Sequence, residues 1–141
     1  MNRVSQFDGL LQESDQLWRP HPFRARSRWQ SLGFAFQGLQ DAWETQVNLR
    51  LHAYIGLGAV ALGVLVRLSV VEWLWVSFAI GLVIFAELMN TAIEQTVDFV
   101  IGLRPDPMAR QVKDLSAGCV LVTAFIAVVI GVLTFGPHLA R

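Results

Sequence analysis

The sequence predicts an all-α integral membrane protein, with three transmembrane helices preceded by an amphipathic helix in the membrane interface. Three observations carry that expectation. Of the 141 residues, 54% are hydrophobic and only 16% are charged, against roughly 25% charged in soluble domains, and mean hydropathy is +0.48. Three runs, Leu51 to Val66, Trp73 to Ala86 and Leu115 to Gly136, contain no formal charge. Just before the first of them, aromatic and leucine side chains recur at three- and four-residue steps. The length allows one domain at most. Net charge is zero, so bulk charge draws no nucleic acid to the protein and none is expected as a partner. Cys119 is the single cysteine, which excludes an intrachain disulfide framework or a cysteine-built zinc site. Its place in an apolar run makes it a packing residue.

Residues 1–26 read as a flexible N-terminal tail. Pro20 and Pro22 around His21 interrupt any helix, and Arg3, Asp8, Glu13 and Asp15 leave no unbroken apolar region of the signal-peptide kind. The membrane domain then occupies 27–141. From about 27 to 50, Trp29, Leu32, Phe36, Leu39 and Trp43 alternate with Arg28, Gln37, Gln40, Asp41 and Glu44, the pattern of a helix lying in the interface. The first span, about 51–67, is short against the ~20 residues needed to cross, and it gains length by continuing backward into the amphipathic helix. The second, about 73–100, begins apolar and ends polar. The third, about 113–136, holds 22 uncharged residues from Leu115 to Gly136 and is the plainest span. Glycines and alanines are spread over all three, and small residues permit close helix approach. Three short helices cannot enclose a sizeable site, so a homo-oligomer is expected.

Three spans put the termini on opposite sides. Six of the eleven basic residues precede the first span, and Arg104, Arg110 and Lys113 lie between the second and third. Only Arg67 and Arg141 fall on the other side, so the N-terminus and the 99–114 loop are expected in the cytoplasm. Trp73 and Trp75 then sit at the opposite interface as an aromatic belt.

The polar end of the second span carries the chemistry. At about 100° per residue, Glu87, Asn90, Glu94 and Asp98 fall in one stripe roughly 100° wide, while Leu88, Ala92, Ile93 and Phe99 point elsewhere. A carboxylate at membrane depth costs several kcal/mol unless neutralised or paired, so a row of them calls for a cation, a proton or basic partners. The chain's only lysine, Lys113, returns to the membrane beside this face, followed by Asp114. Carboxylates hold Mg²⁺, a lysine neutralises phosphate, and a carboxylate can deprotonate an attacking hydroxyl. These are the parts of a phosphoryl-transfer site, although the same residues could serve a proton relay or a cation pathway. No GxxxxGK[ST] loop and no HExxH sequence occurs.

The run Glu87-x-x-Asn90-Thr91-Ala92-Ile93-Glu94-x-x-Val97-Asp98 strongly resembles the signature of the small prokaryotic membrane lipid kinases, the diacylglycerol kinases and their undecaprenol kinase relatives. Further matches are Phe34-Ala35-Phe36-x-Gly38-Leu39, Asn48-Leu49-Arg50-Leu51-His52, Glu72-Trp73-Leu74 and Lys113-Asp114-Leu115-x-Ala117-Gly118, and the resemblance covers roughly residues 28 to 138. It implies a homotrimer of three-span subunits in the inner (plasma) membrane, with active sites shared between subunits and open to the cytoplasm. The implied reaction transfers the γ-phosphate of Mg-ATP to the hydroxyl of a membrane lipid, giving phosphatidic acid from diacylglycerol or undecaprenyl phosphate from undecaprenol. By position, Glu87 is implied as the general base and Asn90 as the residue that places the phosphates or the base. Glu94 is implied as a metal ligand, and Asp98, Lys113 and Asp114 as the nucleotide side.

Two positions depart from the family pattern. Gln46 stands where a metal-binding glutamate is usual, four residues before Arg50; its oxygen can coordinate but brings no charge. Glu44 points about 160° away and does not replace it. Phe34 stands where a tyrosine is common near the nucleotide, keeping the stacking face without the hydroxyl. His52, Glu72-Trp73-Leu74 and Lys113-Asp114-Leu115 resemble the undecaprenol kinase branch, but both branches share one catalytic set, so the acceptor stays open. The alternatives to a working kinase are a catalytically impaired homologue, suggested by Gln46 and Phe34, and an oligomeric cation or proton conductor.

Overall fold

Helix length and capping explain the architecture. The computed structural model describes residues 27–102 and 104–140; the expected tail over 1–26 lies outside the described residues. Among these residues four helices form: α1 (Arg28–Thr45), α2 (Val47–Val66), α3 (Val70–Ile101) and α4 (Pro107–Leu139). Among the described residues there is no strand. The last three helices are long and apolar enough to cross a membrane, so the protein is all-α and multi-pass.

The chain divides into two units, residues 1–38 and 39–141. In the first, the Ser27 hydroxyl accepts from the Gln30 amide at 3.2 Å and starts α1. Trp29 and Phe36 are 82% and 70% exposed.

In the second unit, α1 and α2 are not continuous. Gln46 is extended (φ −101°, ψ 108°), although no proline or glycine marks the break. Arg50 holds it instead: its Nη1 donates to the carbonyls of Trp43 at 2.6 Å and Glu44 at 2.9 Å. Those are free acceptors at the negative end of α1, where a guanidinium is well placed. The backward extension of the first span therefore stops at Val47. The 20 residues of α2 still suffice, at about 1.5 Å each, for a hydrocarbon layer of ~30 Å.

At its other end α2 stops at Arg67 in the left-handed region (φ 57°, ψ 56°), with the Leu68 amide on the Gly63 carbonyl at 3.0 Å. A capping box then starts α3 at Val70, three residues before the apolar run suggests. The Ser69 amide and hydroxyl both donate to Glu72 Oε2 at 2.7 Å, and the Glu72 amide returns to Ser69 Oγ. α4 begins at Pro107, ahead of the expected 113, because Asp106 accepts from the Met108 and Ala109 amides at 2.8 and 2.9 Å and a proline suits the first helical position.

α3 packs on both α4 and α2, while α2 and α4 barely touch. Gly56 and Gly63 make the α2–α3 approach possible. A Cβ at Gly63 would stand 2.9 Å from Leu68 Cδ1 and Trp73 Cη2, and one at Gly56 would stand 3.0 Å from Ile80 Cγ2. Trp73 thus packs inward with Leu68, Val76 and Phe135, so of the predicted aromatic belt only Trp75 faces outward, at 55% exposure. Cys119 also faces outward. Only 11% to 33% of each span's most apolar stretch is buried. The apolar surface is directed outward, as lipid or another copy of the chain requires.

Candidate active site

The predicted polar stripe lies at the end of the α3–α4 hairpin remote from the Ser69 turn. Glu87 is buried at 4% exposure, and His52 of α2 reaches it, Nε2 to Oε1, at 3.2 Å. One turn on, Asn90 is held from both sides. Its Nδ2 donates to Glu94 Oε1 at 3.0 Å, and its Oδ1 accepts from the Ser116 hydroxyl of α4 at 2.6 Å. Two turns further, Lys113 Nζ of α4 bonds Asp98 Oδ1 at 2.5 Å. Asp114, on the same turn, pairs with Arg110 at 3.5 Å on the exposed surface. The structure thus brings Asn90 to Glu94 and Lys113 to Asp98. Gln46 donates to Thr45 Oγ1 at 3.3 Å, and Phe34 belongs to the first unit.

Two openings flank this row. An apolar groove of about 420 Å³ runs between α2 and α4, floored by α3, and His52 is the one polar side chain in its lining. Its walls include Ile55, Ala59, Ile80, Ala124 and Val128. Beneath the α3–α4 turn lies a wider cleft of about 650 Å³ lined by Asp98, Lys113, Asp114, Arg104 and Arg110. One opening suits a hydrocarbon chain and the other a charged, water-soluble group.

Sequence reasoning did not single out Ser116, read Arg104 and Arg110 only for membrane orientation, and read His52 only through the family resemblance and as a branch marker. Ser116 lies one turn after Lys113 on the helical face that meets α3, a signal available from spacing. His52 had a weaker one, a lone imidazole in an apolar run, whose partner Glu87 is 35 residues away and visible only in the fold.

Residues 33–135 match the family described as prokaryotic diacylglycerol kinase. The chain is 39% identical to the undecaprenol kinase of Bacillus subtilis over 105 residues, 74% of this chain and 85% of that protein. It is 31% identical to the diacylglycerol kinase of Synechocystis over 130 residues, 87% and 74% of the two chains. Against the diacylglycerol kinase of Escherichia coli K12 the identity is 26% over 106 residues, 75% and 86% of the two. A three-span fold with an acidic helix face met by one lysine, in a chain with these relatives, is an integral-membrane lipid kinase. It belongs to the prokaryotic diacylglycerol kinase family.

Proposed function

We propose that the protein transfers the γ-phosphate of Mg-ATP to the hydroxyl of a membrane lipid, diacylglycerol or undecaprenol, at the cytoplasmic face of the inner membrane. The observation that carries this reading is the acidic face of α3 flanked by the two openings, with buried Glu87 joined to His52 in the wall of the apolar groove and Lys113 on Asp98 at the charged cleft. A lipid alcohol entering from the bilayer and a nucleotide entering from water would meet along this row.

Glu87 accepts the lipid hydroxyl proton as the oxygen attacks the γ-phosphorus. The bond from that phosphorus to the β–γ bridging oxygen breaks, and ADP leaves with the electron pair. Asn90 orients the reacting groups through an amide that Ser116 and Glu94 fix. Lys113 offsets phosphate charge, with Asp98 and Asp114 on the nucleotide side. Among the described residues no three His, Cys, Asp or Glu side chains converge. Mg²⁺ is held by one or two carboxylates together with substrate phosphates rather than by an all-protein cage, and the Glu94 carboxylate, held by the Asn90 amide at 3.0 Å, is a donor of that kind. Glu94 would hold the metal, with the Gln46 oxygen as a neutral ligand, and when bound it would supply charge neutralisation on the phosphates. The assembly proposed is a homotrimer with shared sites, in which part of the outward apolar surface of the spans would meet other copies of the chain and the rest lipid.

The test is transfer of labelled γ-phosphate from Mg-ATP to diacylglycerol and to undecaprenol, side by side in mixed micelles. Label in one lipid is expected, and Glu87→Gln should abolish it while the protein still assembles. Label in neither lipid, or a fully active Glu87→Gln, would overturn the reading.

A further inference from the structure

Glu87 is the one charged side chain on α3 between Glu72 and Glu94, and its side chain is 5% exposed. A carboxylate this buried needs a partner. The partner comes from a different helix: His52 is one turn before Gly56, and the missing Cβ at Gly56, opposite Ile80, lets α2 approach α3 closely. The contact therefore depends on the α2–α3 packing rather than on a flexible surface side chain.

We infer that His52 is a positioning residue for Glu87. This rests on the reading of Glu87 as the base. In the tautomer with the proton on Nε2, the imidazole donates to Oε1 and holds the carboxylate in one orientation, leaving Oε2 for the lipid hydroxyl. His52 is also the single polar group lining the apolar groove, so the group that orients the base stands in the wall along which an alcohol on a hydrocarbon chain would arrive. A reacting group displaced by about 1 Å can lose on the order of 100-fold in rate, which sets the scale of the effect.

The experiment compares His52→Leu and His52→Gln in the full-length protein, measuring kcat and the KM for nucleotide and for lipid. Leu keeps bulk and removes the donor, whereas the Gln amide can donate from nearly the same place. His52→Leu should lower kcat roughly 10- to 100-fold with both KM values within about threefold, the signature of an interaction made in the transition state. His52→Gln should recover most of that loss. His52→Met is the second non-donating variant should the Leu protein fail to accumulate in membranes. Unchanged kcat in the non-donating variants, a loss confined to KM, or a Gln variant as impaired as Leu would each overturn the inference. An inactive Glu87→Gln beside a fully active His52→Leu removes this inference alone. A fully active Glu87→Gln removes the assignment of the base and this inference with it.

Discussion

Ser116→Ala tests whether the cross-helix contact to Asn90 sets up the site. Ser116 is 6% exposed, and its hydroxyl lies 2.6 Å from Asn90 Oδ1 and 2.9 Å from the Lys113 carbonyl. The Glu94 carboxylate, which can only accept, fixes which way the Asn90 amide faces, and the Ser116 hydroxyl braces that orientation by donating to Oδ1. A flipped amide would set carbonyl oxygen against carboxylate. Replacing Ser116 by Ala adds no atoms, so the change is confined to the lost donor. A neutral hydrogen bond contributes about 0.5–1.5 kcal/mol net, and a part-buried carbonyl left unpaired costs about 1–3 kcal/mol. Taking ~1–2 kcal/mol in the transition state, at ~1.36 kcal/mol per tenfold, kcat/KM should fall roughly 5- to 30-fold. The assay is phosphate transfer to the lipid alcohol in mixed micelles, with Thr123→Ala as control. Thr123 donates only to the Val120 carbonyl of its own helix and should leave kinetics unchanged. A Ser116→Ala enzyme within about twofold of the parent in kcat/KM would refute the claim that Asn90 needs this brace.

Two further predictions follow from packing and charge. Gly63→Ala places a methyl 2.9 Å from Leu68 Cδ1 and Trp73 Cη2 and should destabilise by ~1–3 kcal/mol. Gly58→Ala meets nothing within 4 Å and should be neutral or stabilising by up to ~1 kcal/mol; thermal unfolding in detergent ranks the two, and equal melting temperatures would refute the close approach. Lys113→Met breaks a part-exposed ion pair worth at most ~1 kcal/mol of stability. It should nonetheless raise the KM for ATP or lower kcat by at least about tenfold, and unchanged nucleotide kinetics would remove Lys113 from the phosphate side.

Much of this arrangement was legible in the sequence, for physical reasons specific to each part. Glu87, Asn90, Glu94 and Asp98 share a face because helical periodicity requires it, and α3 is an unbroken helix through all four. Lys113 was expected near them because a short loop forces α4 back past the end of α3, and the 2.5 Å contact with Asp98 agrees. The break at Gln46 was not legible, since it is held by Arg50 on carbonyls six and seven residues upstream rather than by a local breaker. Nor was the inward turn of Trp73, which depends on the gap at Gly63 in another helix. His52 with Glu87 and Ser116 with Asn90 are contacts between helices, and one chain's periodicity does not report which faces of separate helices meet.

Two of the cross-helix bonds act as a ruler for where the site stands. At one end of the α3–α4 hairpin, Glu72 Oε1 meets His138 Nε2 at 2.8 Å; at the other, Ser116 meets Asn90. At ~1.5 Å per residue, Glu72 to Asn90 along α3 is about 27 Å, and Ser116 to His138 along α4 is about 33 Å, which bracket the ~30 Å of a bilayer's hydrocarbon layer. Between these bonds, only one side chain on either helix carries a formal charge, Glu87. It lies one turn on the hydrocarbon side of Asn90, whereas Glu94, Asp98 and Lys113 lie beyond Asn90 and Ser116 on the other. From Glu87 to Asp98 the row covers about 16 Å, enough to cross from the region where a lipid hydroxyl resides to the region where a nucleotide does. A base placed on the water side could not reach an alcohol without drawing the lipid out of the bilayer, and a lysine placed on the hydrocarbon side would be buried without phosphate to offset it. Under the proposed roles, the order of residues along α3 would follow the order in which acceptor, phosphate and nucleotide must be arranged across the membrane surface.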